Sequence, residues 1–132
     1  MRRWGRRRFA GLFDHGPHAA KATLPAVYQD AELLVLATLN DGCPLVVQEA
    51  MCSGTPVLTT PCGNGPDLIT EGVDGWIVPA RDIDALVEQR LREAVRDRDR
   101  LFRMGQAARA RAEKWTWKEA GDALVAKLQA LR

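Results

Sequence analysis

Asp41 and Glu49 bracket the stretch DGCPLVVQE, with a Gly-Cys-Pro turn and an apolar run between them. If a helix starts after Cys43, its first backbone N–H groups have no intrahelical acceptor and lie at the positive end of the helix dipole, an arrangement that binds an anion such as phosphate. Pro44 carries no N–H, so the donors would be those of Leu45, Val46 and, third in order, Val47. Glu49 falls about one turn further on, roughly 6 to 8 Å along the axis. A carboxylate there can accept two hydrogen bonds from a vicinal diol, as the acidic residue of dinucleotide sites does with a ribose. Asp41, on the other side of the amides, can do the same for a sugar. Each acid also has an ordinary reading, Asp41 as a turn residue or helix N-terminal acid and Glu49 as a surface glutamate.

The elements that must position these acids are regular. LPAVYQDAE (24 to 32) places Leu24, Val27, Tyr28 and Ala31 at helical spacing, and LLVLAT (33 to 38) is a short apolar run of the kind that forms a parallel strand buried on both faces. A helix over 45 to 53 follows, with Pro44 suited to its start and Gly54 to its end. PVLTT (56 to 60) and GWIVP (75 to 79) are two more short strands, separated by the loop PCGNGPDLITEG, which leads into one helical turn begun at Pro66 and Asp67. Asp82 is a good N-cap for a helix whose expected face is Ile83, Leu86, Val87, Leu91, Ala94 and Val95. Helices at about 100 to 114 and 117 to 131 complete the chain, the last with a stripe through Trp117, Gly121, Leu124, Leu128 and Leu131. Met51 and Met104 read as core, and Trp76, Trp115 and Trp117 as packing residues.

Strand and helix alternate, which predicts an α/β fold with a parallel sheet. Three strands make only the second half of a doubly wound, Rossmann-like sheet, whose full form has about six. Ligands bind such sheets beyond the carboxyl ends of the strands, here the loops 39 to 44 and 61 to 66, and Gly42, Gly63 and Gly65 suit a close approach there.

At 132 residues and 46% apolar, the chain is one domain or part of one. Its net charge of +2 conceals a local asymmetry: residues 24 to 80 hold seven acids and no Lys or Arg. Arg2, Arg3, Arg6, Arg7, Arg8 and Lys21 make residues 1 to 23 a basic arm, expected to be poorly ordered. Asp14, His15, His18 and Lys21 interrupt any apolar core that a secretion signal would need. No base-reading module follows the arm, so no specific nucleic acid is expected. His15 and His18 supply two metal ligands without a third. Cys43, Cys52 and Cys62 fit neither a disulfide framework nor a zinc pattern and read as reduced thiols of an intracellular protein. No stretch approaches the roughly 20 apolar residues that span a bilayer.

The run D-G-C-P-L-V-V-Q-E-A-M-C-S-G-T-P-V, from Asp41 to Val57, resembles the central motif of group 1 retaining glycosyltransferases of the GT-B fold, E-G-F-P-x-x-x-x-E-A-M-A-x-G-x-P-V. The resemblance extends over about 24 to 117, with GNGPDLI, GWIVP and KWTW at the family's later motifs. It implies that residues 24 to 117 are part of the C-terminal donor-binding domain and 118 to 132 its C-terminal helix. It implies that Glu49 binds the nucleotide ribose, that Asp41 approaches the donor sugar, and that the backbone of Gly42, Cys43, Pro44, Leu45 and Val46 faces the diphosphate and sugar. Such enzymes transfer a sugar with retention from a nucleoside diphosphate donor and use no metal or other cofactor, because protein cations and helix amides neutralise the leaving diphosphate.

This chain departs from the pattern. Asp41 replaces Glu and draws its carboxylate back by about 1.5 Å, Cys43 replaces an aromatic residue, and Asp67 replaces a Glu. The family's Arg and Lys pair and its N-terminal Rossmann domain have no counterpart here. We expect a chain that is inactive alone and is completed by that domain or by another chain. The expected location is cytoplasmic, with the basic arm available to the inner face of the membrane. The alternative expectations are a non-catalytic nucleotide-binding or protein-interaction module, and a nucleic-acid or membrane-surface binder acting through the arm.

Overall fold

The computed structural model describes residues 24–131; the basic arm, with His15 and His18, lies outside them. The order of elements is α1 (Leu24–Asp30), β1 (Leu34–Leu36), α2 (Leu45–Cys52), β2 (Val57–Thr59), α3 (Gly65–Leu68), β3 (Gly75–Ile77), a π-helical segment (Asp84–Leu91) running into α4 (Arg92–Arg96), then α5 (Arg98–Ala112) and α6 (Trp117–Ala130). The strands form one parallel sheet in the order β1-β2-β3. The fold is the three-stranded α/β half-sheet followed by helices that the alternation predicts.

Successive residues of a strand point to opposite faces, and the two faces carry separate cores. Val57 joins Val47, Ala50, Met51, Ile69, Ala108 and Ala112 on one face, with Tyr28, Leu34, Leu36 and Ile77 packed against them. Leu58 and Trp76 join Val78, Ala85, Ala94, Leu101 and Met104 on the other. Helix α5 contributes to both cores, so it passes the end of the sheet. Gly105 sits at that crossing against Gly54 C=O and Pro56, the residues that lead into β2. The crossing therefore braces the amino end of the sheet and leaves the carboxyl end free for loops.

Burial falls away from the centre of the sheet. All of β2 is buried, whereas Val35 in β1 is 41% exposed. The second core covers Leu58 and Trp76 but not Val35, their neighbour in register.

Two expectations fail. Asp82 does accept the Ala85 N–H at 2.8 Å, as an N-cap should, but the helix face beyond it differs. Ala85 and Ala94 are buried and Leu86 and Leu91 half-buried, while Ile83 and Val95 are 72% and 67% exposed. Bonding from i to i+5 in a π-helix takes more residues per turn than in an α-helix, so a face projected at 3.6 residues per turn drifts out of phase across Asp84–Leu91. Trp76 is buried as expected, but Trp117 is 95% exposed and Trp115 about as exposed as Val35. Helix α6 has a full capping box between Thr116 and Glu119, yet none of its residues is buried. Among the described residues, no helix is long and apolar enough to cross a membrane.

Candidate functional site

The chain leaving β1 is held by hydroxyls from the end of β2. Thr59 Oγ1 donates to Leu36 C=O at 3.0 Å, and Thr60 Oγ1 donates to Thr38 C=O. Both threonines are buried, so these bonds satisfy polar groups that water cannot reach and aim the loop 39 to 44 outward from the sheet edge.

That loop is locked to its neighbour. Gly63 has φ +72°, and a Cβ there would come within 2.6 Å of Asp41 C=O and 2.9 Å of Pro44 Cδ. Only glycine fits both the left-handed backbone and the contact. Asn64 Nδ2 donates to Cys43 Sγ at 3.1 Å and closes the same seam; Asn64 Oδ1 is buried without a hydrogen-bond partner. Gly63 and Gly65 thus use their small size against the protein, the latter against Thr59, and Gly42 alone of the three opens to space.

Helix α2 starts from Pro44, buried at φ −68°, ψ 102°, with no side-chain cap. The Val47 N–H is taken by Pro44 C=O at 3.2 Å. The donors without an intrahelical acceptor are then those of Leu45 and Val46, and Leu45 is 61% exposed. Val47, Ala50 and Met51 face the core. Glu49, between them in sequence, lies exposed on the opposite side of the helix, as helical periodicity requires.

Glu49 has a partner that sequence reading missed. Tyr28 Oη on α1 donates to Glu49 Oε2 at 2.9 Å. Burial, then the hydrogen bond to Glu49 and its negative charge, push the Tyr28 phenol from its ordinary 10.0 up to about 12. Tyr28 stands at core-facing spacing in the sequence, which conceals that its hydroxyl emerges beside α2, 21 residues away in the chain. Asn64 was likewise visible only as part of a glycine-rich loop.

Asp41 is half-buried, and among the described residues its carboxylate has no hydrogen-bonding or ionic partner. Most arginines of the later helices are spent elsewhere. Arg90 and Arg100 flank the Trp76 ring and pair with Glu93, and Arg90 also holds Glu71. Arg111 reaches Asp74, Thr70 and the Asp67 carbonyl. Asp67 itself lies in the first turn of α3. Among the described residues, no cation pairs with Asp41 or Glu49, and no three His, Cys, Asp or Glu side chains form a group that could hold a metal.

A parallel half-sheet with two interlocked loops and a free helix start at its carboxyl edge has the Rossmann-like fold of a GT-B C-terminal domain. The sequence profile described as Glycosyl transferases group 1 matches residues 15–111, and the chain belongs to that family. It is 30% identical over 99 residues to a D-inositol 3-phosphate glycosyltransferase of Saccharomonospora viridis, covering 75% of this chain and 23% of that protein. It is 34% identical over 100 residues to a sulfoquinovosyl transferase of Arabidopsis thaliana, covering 74% and 19%. The chain thus spans about a fifth to a quarter of the length of these curated relatives. Among solved structures, the Anabaena protein HepE in complex with UDP shares the fold at TM-score 0.70 and 20% identity, over 83% of this chain and 30% of its own. The C-terminal domain of a Francisella tularensis group 1 glycosyl transferase does so at TM-score 0.66 and 22% identity, over 74% and 50%.

Proposed function

We propose that this chain forms the donor-binding part of a retaining glycosyltransferase. Glu49 accepts hydrogen bonds from the ribose diol of a nucleoside diphosphate sugar, the Leu45 and Val46 amides face the diphosphate, and Asp41 approaches the sugar. Gly42, Cys43, Pro44 and Gly63 shape the wall between them. The observation that carries this reading is the exposed Glu49 on the solvent side of α2, opposite the buried Val47, Ala50 and Met51 and about one turn beyond the free amides. The UDP and UDP-glucose complexes of the Anabaena relative support a nucleotide sugar as the ligand class. No metal or other cofactor is proposed.

Alone, the chain binds such a donor weakly and transfers no sugar. A helix terminus contributes about 0.3 to 2 kcal/mol to an anion, far less than the full positive charges a diphosphate requires. The missing groups come from the remainder of a longer protein or from a second chain. The proposed location is the cytoplasm, with the basic arm suited to an anionic membrane face.

UDP titration followed by ligand-detected NMR tests the reading. The parent chain shows weak, saturable binding. Glu49→Ala loses a hydrogen bond to a charged group, worth about 1.5 to 3 kcal/mol, and binds about 10- to 100-fold more weakly. Equal binding by both proteins defeats the assignment. A second reading, a non-catalytic interaction module, draws on the exposed apolar stripe of α6; it gains if UDP binding is absent from the parent chain.

A further inference from the structure

We propose that Tyr28 is a positioning residue for the nucleotide-binding carboxylate: its hydroxyl fixes one oxygen of Glu49 so that the other faces the ribose diol. This rests on the reading of Glu49 given above and adds to it a second element, α1, as part of the donor site.

An exposed glutamate has three rotatable side-chain bonds and samples many directions, and that freedom is lost when it must accept two hydrogen bonds from a ligand. Tyr28 removes much of it beforehand. Its ring packs against the core formed by Val47, Ala50 and Met51, and its backbone carbonyl accepts a hydrogen bond from Oγ1 of the buried Thr55. The phenol is therefore held at both ends before it meets Glu49. A phenol has one proton to donate, and at 2.9 Å its O–H donates to Oε2, so that among the described residues nothing occupies the lone pairs of Oε1. The raised titration of Tyr28 agrees with this contact, since a neighbouring carboxylate opposes formation of the phenolate.

Tyr28 is the only tyrosine in the chain, so phenolate absorbance reads it alone. A rapid jump to about pH 11, one unit above an ordinary phenol, leaves most of the parent's Tyr28 protonated. In Glu49→Ala the phenolate fraction rises, though not to that of a free phenol, because burial remains the larger cause of the shift. An unchanged fraction overturns the contact and the proposal with it.

The second measurement compares UDP with its 2′-deoxy and 3′-deoxy analogues on the parent and on Tyr28→Phe, which keeps the ring. The parent prefers UDP. Tyr28→Phe binds UDP about 3- to 10-fold more weakly, the order of the side-chain freedom of Glu49 that binding must then freeze, and its preference for ribose narrows. A purely structural hydroxyl would instead weaken all three ligands alike. A ribose preference that survives intact in Tyr28→Phe overturns the positioning role alone. A parent chain with no ribose preference overturns the assignment of Glu49 as well.

Discussion

Helices α5 and α6 are close in length and begin with the same device. Asp97 Oδ1 accepts the Arg100 N–H at 2.8 Å, and Thr116 Oγ1 accepts the Glu119 N–H at 3.1 Å. Yet α5 buries Leu101, Met104, Gly105, Ala108 and Ala112, while α6 buries nothing. Local signals start both helices equally well, and only the path of α5 across the sheet end gives one of them a core. The stripe through Leu124, Val125 and Leu128 has the spacing to pack and, among the described residues, nothing to pack on.

The largest contrast is expected from truncating matching apolar side chains. Met104→Ala should cost about 2 to 5 kcal/mol of global stability through lost burial and a residual cavity. Leu124→Ala should stay within about 0.5 kcal/mol, as exposed substitutions do. Urea denaturation followed by tryptophan fluorescence, in which Trp76 is the buried reporter of the core, measures both. A comparable loss from Leu124→Ala would show that α6 is covered in solution and erase the contrast.

Glycine replacement sharpens the comparison with opposite signs. A Cβ at Gly105 meets the Gly54 carbonyl and Pro56 across the crossing, whereas one at Gly121 meets nothing within 4 Å. Gly105→Ala should therefore destabilise by about 1 to 3 kcal/mol through overpacking. Gly121→Ala should raise helix content, favouring α6 by about 0.5 to 1 kcal/mol. Circular dichroism melts of the two variants should move in opposite directions or, for Gly121→Ala, show gained helicity at an unchanged global midpoint.

The smallest effect separates the caps. Removing either costs about 0.5 to 2 kcal/mol of its own helix. Asp97→Ala should lower the global midpoint, because α5 carries both cores. Thr116→Ala should reduce amide-exchange protection in α6 only. Equal shifts in the global midpoint would mean that α6 folds as one unit with the sheet.

The same contrast explains what the sequence disclosed. Apolar and β-branched runs at 33 to 38, 56 to 60 and 75 to 79 marked all three strands, and Pro44 and Gly54 framed α2 to within a residue. These are local patterns, and the structure keeps them. The exposure of Ile83 and Val95 was hidden because no local pattern announces a π-helical segment. Trp115 and Trp117 read as packing residues because type and spacing do not reveal whether a partner exists. At the candidate site, Asp41 and Glu49 could be found from their spacing around a helix start, but Tyr28 and Asn64 come from elements that only the tertiary fold brings beside them.

Gly63 carries a consequence for descent. With its α-carbon seated against Asp41 and Pro44, the second loop is the back wall of the first, and neither can be rebuilt alone. A lineage that lengthens or reshapes residues 39 to 44 must alter 61 to 66 in the same episode or lose the seat between them. The two loops, joined by Cys43 and Asn64 across 21 residues of chain, should be inherited as one unit of variation.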